Sequence, residues 1–177
     1  GHVFSTDFPK EYQDWESIAP SELFQAPVLS IPTRGSIVSL LKNEGRGIDS
    51  LVLWLDCDRE GENICFEVIR CVKSVMSSRK GRQIYRAKFS AVNREDIVKA
   101  MSCLGVPNKA ESDAVDARQE LDLKVGVAFS RFQTLYFQGR YADLDARCIS
   151  YGPCQSPTLG FCVRRHLEIS HFQEIGR

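Results

Sequence analysis

The sequence predicts an α/β layered domain followed by a mainly helical segment, and three patterns lead to this prediction. A continuous apolar run of strand length, residues 51–55, precedes a stretch with helical periodicity, residues 63–76. A second strand and helix follow over residues 83–104, and from Ala110 apolar residues recur at helical spacing. Strands that alternate with helices indicate a layered domain with a parallel-sheet core.

The first elements are predicted from local pattern. The opening 35 residues are rich in Pro, Ser and aromatics, and residues 21–24 are expected to begin a short helix. Residues 35–43 should form a helix that two glycines end. The run 51–55 is apolar throughout, which suits a strand covered on both faces. The helical residues expected to face the core are Ile37, Leu40, Leu41, Ile64, Val68, Cys71, Val72 and Val75.

The next strand and helix are bounded by a capping residue and a glycine. Residues 83–89 have the composition of a strand. Asn93 is placed to cap the following helix, and Gly105 to end it. The residues expected to face inward are Ile97, Ala100, Met101 and Leu104.

The remaining region is predicted to be helical. A boundary at residues 106–108 precedes a long helix over 110–137, and a polar connector follows over 140–145. Ser156-Pro157 is typical of a helix start, with a cap residue before proline, and that helix should reach about residue 168. The residues of the long helix that recur at helical spacing are Val115, Leu121, Val125, Ala128, Phe129 and Phe132.

Composition is typical of a soluble globular protein. The 177 residues are 43% hydrophobic and 26% charged. No apolar run approaches the roughly 20 residues that a membrane-spanning helix needs, so no membrane association is expected. The formal net charge is zero, whereas many nucleic-acid-binding proteins have a clear excess of Lys and Arg. Any contact with nucleic acid must therefore depend on local charge.

The segment that indicates chemistry is D-C-D-R-E-G-E, residues 56–62, directly after the apolar strand. In an extended segment, residues at i, i+2 and i+4 point the same way, so Asp56, Asp58 and Glu60 are expected to converge. Three carboxylates at the carboxyl end of a parallel strand suit Mg2+, which prefers oxygen ligands. The alternative is an exposed acidic turn before a helix whose first turn favours acids. The adjacent strand and the amphipathic helix that follows favour the metal site.

Several segments together resemble the type IA topoisomerases. Residues 51–68, LVLWLDCDREGENICFEV, resemble the D-x-D-x-E segment of a TOPRIM domain, and residues 86–101 resemble the strand and helix that close it. Residues 116–126 resemble the helix that opens the single-strand-binding domain, and residues 150–159 resemble the G-x-x-Q-[ST]-P-T-L segment. The sequence around residues 54–58 and 152–155 is most similar to that of eukaryotic topoisomerase III of the beta type.

This resemblance implies a domain division and a set of catalytic residues. It implies an incomplete TOPRIM domain over residues 1–106 and the beginning of the central, single-strand-binding domain over 110–177. Asp56, Asp58 and Glu60 match the Mg2+-binding acids, which the family needs chiefly for resealing. Arg59 lies beside them as a candidate catalytic contact with phosphate, or alternatively forms a salt bridge with Glu62 or Glu60. Glu62 also falls on a family position.

The resemblance also implies a nucleic-acid-binding set. Arg118 and Asp122 match positions near the bound single strand, and they share a helix face at i and i+4. An ion pair between them is the alternative. Gln155, Ser156 and Thr158 match the segment that lines the strand groove, or alternatively the two hydroxyls cap and start a helix.

The chain departs from the family pattern in three places. Pro153 stands where many bacterial members have an arginine that contacts nucleic acid. The family's first strand, with its acid in a Lys-Pro-Ser context, is expected before Gly1. The segment with the nucleophilic tyrosine, T-Y-x-R-T-[DE], does not occur in this sequence. Tyr151 matches a position that is not the nucleophile, so the chain alone is expected not to cleave or relax nucleic acid.

The expected function is therefore that of part of an ATP-independent type I topoisomerase. Such an enzyme cuts, passes and reseals single strands through a 5′-phosphotyrosine intermediate. Single-stranded DNA is the expected substrate, and the beta-type resemblance adds RNA, a Tudor-domain partner protein and a nuclear location with the cytoplasm as a second one. Two alternatives stay open: a non-catalytic fragment that binds single strands or a partner protein, and another TOPRIM enzyme such as a nuclease or primase. Residues 116–126 and 155–159 argue against the latter.

Overall fold

The structure is a computed structural model that describes residues 1–15, 17–77, 81–141 and 147–173. Its elements in chain order are β1 (Phe4–Asp7), β2 (Leu29–Pro32), α1 (Gly35–Glu44), β3 (Ser50–Trp54), α2 (Arg59–Val72), β4 (Gln83–Ala87), α3 (Arg94–Ser102), α4 (Lys109–Phe137) and α5 (Gln155–Ser170), with short 3-10 helices at Lys10–Tyr12 and Pro20–Phe24. The chain forms two compact units, one of residues 1–7 and 29–119 and one of residues 8–28 and 120–177.

The first unit contains the predicted parallel strand pair. β3 pairs with β4 in parallel, with Ser50 opposite Gln83 and Trp54 opposite Ala87. A separate antiparallel pair joins β1 and β2. The α/β class with a parallel sheet is therefore confirmed. The expectation that the apolar strand is covered on both faces is wrong at its end, because Trp54 is 37% exposed and packs on Phe89 with the ring centroids 5.6 Å apart.

The core of the first unit lies between α1, α2 and the two strand pairs. Its buried members are Val3, Cys71, Val72 and Met76, and the partly buried residues packed on them are Phe4, Ile37, Val38, Leu41, Ile48, Leu51, Val68 and Val75. The predicted inward stripes of both helices are thus largely confirmed. Leu40 is wrong, since it is 56% exposed. A step of one residue turns a helix by about 100°, so only Leu41 of this adjacent pair faces the core.

The helix boundaries differ from the predictions at both ends of α2 and at the end of α3. α2 ends at Val72, four residues before its predicted end. α2 begins at Arg59, four residues earlier than predicted, because the Asp58 side chain caps it. The α3 cap is confirmed, since the side-chain oxygen of Asn93 accepts the Asp96 N–H at 2.8 Å. α3 ends at Ser102, before Gly105, and the backbone of Gly105 pairs instead with that of Arg86.

Fewer residues of α3 are buried than its periodicity predicted. Ala100 is buried and Leu104, beyond the helix end, is half-buried, whereas Ile97 and Met101 are 38% and 50% exposed. The periodicity identified one face of the helix, but only the middle of that face is covered in this chain.

The second unit has its own core, formed by Phe8, Leu23, Ala26 and Ala128 with Tyr12, Ile18, Val28, Leu123 and Val127 packed on them. The long helix was predicted almost to the residue. Three of the apolar residues that recur at helical spacing along it, Leu121, Phe129 and Phe132, are at least 44% exposed. Residues 142–145 of the predicted connector lie outside the described residues. In the described part of the chain, no helix has the length and apolar character needed to cross a membrane.

The burial of two thiols leads to a labelling prediction. Burial raises the pKa of Cys65 to about 11 and raises the pKa of Cys71 as well. Because the thiolate is the reactive form, iodoacetamide at about pH 8 should modify these two at least about tenfold more slowly than the exposed thiols. The exposed thiols are Cys57, Cys103, Cys148, Cys154 and Cys162. Raising the pH toward 11 should increase the labelling of Cys65.

Peptide mass spectrometry of the labelled chain measures this difference. The control is the same reaction in urea, where all seven thiols should react at similar rates. Equal labelling of Cys65 and Cys103 in the folded chain at pH 8 would contradict the assignment of Cys65 to the interior.

Candidate functional site

The acidic segment leaves the end of β3 and turns at once into α2. The Asp58 Oδ1 atom accepts the Gly61 N–H at 2.7 Å, which caps the helix and fixes the turn. Gly61 is required here, because a Cβ at this position would lie 1.9 Å from the Asp56 carbonyl oxygen. Asp56 and Asp58 are both exposed. The segment therefore presents two carboxylates to solvent from a tightly constrained backbone.

Glu60 does not follow the alternation that the sequence predicted. It is the second residue of α2, so the extended segment that would direct it beside Asp56 and Asp58 has already ended. Among the described residues, no group of three His, Cys, Asp or Glu side chains is arranged to hold a metal ion. The reasoning by i, i+2 and i+4 is therefore wrong for Glu60, whose direction is set by the helix.

Both carboxylate oxygens of Glu60 are engaged within the first unit. Arg118 of α4 donates from Nη2 to Oε1 at 2.5 Å. A ring nitrogen of His2, Nε2, lies 3.1 Å from Oε2, and its other ring nitrogen lies 3.2 Å from Glu67. Glu60 thus joins His2, at the start of the chain, to Arg118, which lies 58 positions after Glu60.

Beneath the acidic segment lies a buried ion pair that the sequence did not reveal. Arg86 Nε donates to Glu62 Oε1 at 2.9 Å, and the two side chains are 0% and 2% exposed. The guanidinium also donates to the carbonyl oxygens of Leu55 and Ala87 at 2.8 Å each and of Asp56 at 2.5 Å. Arg86 therefore ties the carboxyl ends of both parallel strands to the backbone of the acidic segment.

The same pair extends to the start of α4. Glu62 Oε2 accepts the backbone N–H of Asn108 at 2.9 Å. Beside it, buried Asn63 donates to Asp116 Oδ1 at 2.7 Å and to the Ser112 carbonyl at 3.1 Å. Two consecutive residues of α2 thus fix the segment that leads into α4 and the first turns of that helix.

One sequence signal could have indicated this arrangement. Glu62 lies on the same helical stripe as Cys65 and Val72, where an unpaired charge would be costly. A charged residue on an apolar stripe indicates a buried partner, and Arg86 sits within a predicted strand next to that helix. The identity of the partner still depended on the strand order, which the local pattern does not specify.

Arg59, the fourth candidate catalytic residue, is exposed at the first position of α2. Its alternative interpretation was a salt bridge to Glu62 or Glu60. Glu62 instead uses both of its oxygens for Arg86 and Asn108, and Glu60 uses both for Arg118 and His2. Arg59 is therefore placed beside the acids with its side chain toward solvent.

The remaining candidates lie on the two later helices. Arg118 and Asp122 are exposed on α4, four residues apart. Gln155, Ser156 and Thr158 lie in the first turn of α5, which begins one residue before Ser156.

The predicted role of Ser156 as the cap of α5 is wrong, because Cys154 occupies the cap position. The Ser156 hydroxyl instead accepts the Gly152 N–H at 3.3 Å. The Thr158 hydroxyl donates back to the Cys154 carbonyl at 2.8 Å. Gln155 remains exposed at the start of the helix.

The buried pair leads to a stability prediction. Glu62→Ala should lower the free energy of unfolding by about 3–5 kcal/mol, because it leaves the Arg86 charge buried without a counter-charge. Urea unfolding followed by circular dichroism measures the change. Glu95→Ala, which removes an exposed acid of α3, is the matched control and should cost less than about 0.5 kcal/mol. Equal costs for the two variants would show that the pair is not buried as described.

Known proteins match nearly the whole chain. A family model described as Toprim domain matches residues 1–92, and one described as DNA topoisomerase matches residues 106–175. DNA topoisomerase 3-beta of Arabidopsis thaliana is 59% identical over 175 residues, 98% of this chain and 20% of the relative. DNA topoisomerase 3-beta-1 of Homo sapiens is 53% identical over 178 residues, 98% of this chain and 21% of the relative.

A solved structure shows the same fold. The full-length topoisomerase I from Thermotoga maritima matches with a TM-score of 0.59 and 25% identity, covering 98% of this chain and 26% of that one. The chain spans about one fifth of the length of the curated relatives named above. The Toprim model covers more than half of the chain, and the resemblance found in the sequence is confirmed. The chain belongs to the DNA topoisomerases of type IA, with topoisomerase 3-beta proteins among its relatives.

Proposed function

We propose that this chain supplies the metal-binding part, and part of the strand-binding region, of an enzyme that cuts, passes and reseals single strands of DNA. The reaction proceeds through a 5′-phosphotyrosine ester, which conserves the bond energy for resealing. The observation that carries the proposal is the D-x-D-x-E segment at the carboxyl end of β3, in a chain of the topoisomerase family. Ligands bind at this edge of parallel sheets.

The carboxylates at this edge fit Mg2+ in part. Asp56 and Asp58 are exposed oxygen donors on a constrained backbone, and Mg2+ is commonly held by one or two carboxylates with water and phosphate oxygens. Glu60 would add a third carboxylate after it leaves Arg118 and His2. Mg2+ would supply charge neutralisation at the phosphate during resealing. The contribution of the chain is to hold these acids in place through the Asp58 cap and the Arg86 hydrogen bonds.

The nucleic-acid contacts are proposed within each unit. In the first unit, exposed Arg59 and Arg118 are suited to phosphate, because a guanidinium can donate two parallel hydrogen bonds to it. In the second, Gln155 and the two hydroxyls of Ser156 and Thr158 are placed at the first turn of α5, with Asp122 exposed on α4. Such polar groups contact sugar, phosphate or base.

Three further proposals rest on the similarity to topoisomerase 3-beta proteins. RNA is a second substrate, a Tudor-domain protein is a partner, and the nucleus is the main location with a share in the cytoplasm. Support for these comes from the 53–59% identity to the two named relatives.

A non-catalytic, strand-binding function is the second candidate, and one observation favours it. In the second unit, the rings of Phe129 and Tyr151 lie 5.0 Å apart, and Phe129 is 44% exposed. Tyr151 is held next to Ser130, whose Oγ accepts the Tyr151 N–H at 2.8 Å. Aromatic side chains presented in this way can stack on unpaired bases, which needs no metal and no tyrosine nucleophile.

The first experiment is Mg2+-dependent relaxation of negatively supercoiled plasmid. The chain alone should give no relaxation, because it lacks the T-Y-x-R-T-[DE] segment, whereas a version extended at both ends to the length of the relatives should be active. In the extended protein, Asp58→Asn should lower the rate at least about tenfold through weaker metal binding. Asparagine remains a good helix cap, so the fold should persist.

The matched control is Asp49→Asn, which removes an exposed acid just before the opposite end of β3. It should leave relaxation unchanged. If the extended protein is inactive but the chain binds a labelled single-stranded oligonucleotide, the strand-binding function replaces the catalytic one. If the chain alone relaxes plasmid, Tyr151 must be tested as the nucleophile.

A further inference from the structure

Glu60 contacts an arginine and a histidine, and it is also a candidate ligand for a divalent cation. Its Oε1 accepts a hydrogen bond from Arg118 at 2.5 Å and its Oε2 lies 3.1 Å from His2 Nε2. A lone pair that accepts a hydrogen bond is not available to a cation, and a guanidinium beside the carboxylate also repels a divalent ion. The contact with Arg118 therefore weakens metal coordination by Glu60, and the two interactions compete.

The ion pair between Arg118 and Glu60 can readily break and re-form. The Arg118 and Glu60 side chains are 54% and 42% exposed. Ion pairs at such exposure contribute little free energy, since water solvates both partners well once they separate. The neighbouring pair of Glu62 and Arg86 differs in this respect. It is buried, so separating its two members would leave a buried charge without a counter-charge.

When a nucleic-acid strand binds, its phosphate groups offer Arg118 a stronger anionic ligand than Glu60. A phosphate diester offers two oxygens that a guanidinium can engage in parallel, and this charge-assisted geometry is stronger than a single hydrogen bond to an exposed carboxylate. A phosphate that binds Arg118 would release Oε1 of Glu60, the residue that follows Asp56 and Asp58 in the acidic segment.

We propose that a divalent cation and single-stranded nucleic acid bind cooperatively in the first unit, because strand phosphate removes Arg118 from Glu60 and so makes this carboxylate available to the cation. This inference rests on the proposed function, since it takes the acidic segment as the metal site. Linkage requires the effect to be reciprocal: the cation must raise the affinity for the strand by the same factor as the strand raises the affinity for the cation.

The test measures Mn2+ binding to the 177-residue chain by isothermal titration calorimetry. Arg118→Gln should bind Mn2+ about two- to fivefold more tightly than the unchanged chain, a range set by the small free energy of an exposed pair. Arg118→Lys should fall between the two, because lysine keeps the charge but loses the planar fork. Arg94→Gln, which removes an exposed arginine of α3, should bind as the unchanged chain does.

The reciprocal arm measures the affinity for a labelled single-stranded oligonucleotide by fluorescence anisotropy, with and without Mn2+ at constant ionic strength. Mn2+ should tighten binding to the unchanged chain and to Arg94→Gln. It should not tighten binding to Arg118→Gln or to Asp58→Asn. Because any direct effect of Mn2+ on the oligonucleotide is common to all four proteins, the difference between them isolates the coupling.

The outcomes separate this inference from the function on which it rests. If Asp58→Asn weakens Mn2+ binding but Arg118→Gln binds Mn2+ no more tightly than Arg94→Gln, the metal site stands and the competition is disproved. If Asp58→Asn binds Mn2+ as well as the unchanged chain does, the acidic segment is not the metal site, and the inference fails with it. A Mn2+ effect on the strand that persists in Arg118→Gln would assign the coupling to another group.

Discussion

The buried ion pair of Arg86 and Glu62 is the interaction on which the first unit depends. Removing two charges from water is costly, and the cost is offset only when their hydrogen-bonding groups are satisfied. Here the guanidinium donates to one carboxylate and to several backbone carbonyls, and Glu62 accepts from both Arg86 and Asn108. One pair therefore connects β3, β4, α2 and the segment that leads into α4.

The acidic segment takes its shape from this pair. Arg86 donates a hydrogen bond to the Asp56 carbonyl oxygen, and Asp58 closes the turn by capping α2. Gly61 allows the helix backbone to approach the Asp56 carbonyl, which any side chain would prevent. The two exposed carboxylates are thus carried by a backbone that cannot relax easily, which is what preorganised cation binding requires.

The sequence predicted the elements well, because strand and helix patterns are local. The apolar run before Asp56 became β3, its parallel partner was found, and Asn93 caps α3 as its residue type suggests. Burial was predicted less well. Helical periodicity shows which residues share a face, but not what covers that face, so Met101 is exposed although the pattern placed it inward.

The arrangement of the candidate site could not be predicted from the sequence. The alternation argument required an extended backbone as far as Glu60, and the cap at Asp58 starts the helix before that residue. Its partner Arg118 is 58 positions away, a separation that no local pattern can bridge. Two acids of one segment, Glu60 and Glu62, consequently differ in kind. Burial makes the contact of Glu62 permanent, whereas exposure leaves the contact of Glu60 open to exchange with whatever ligands reach the edge of the sheet.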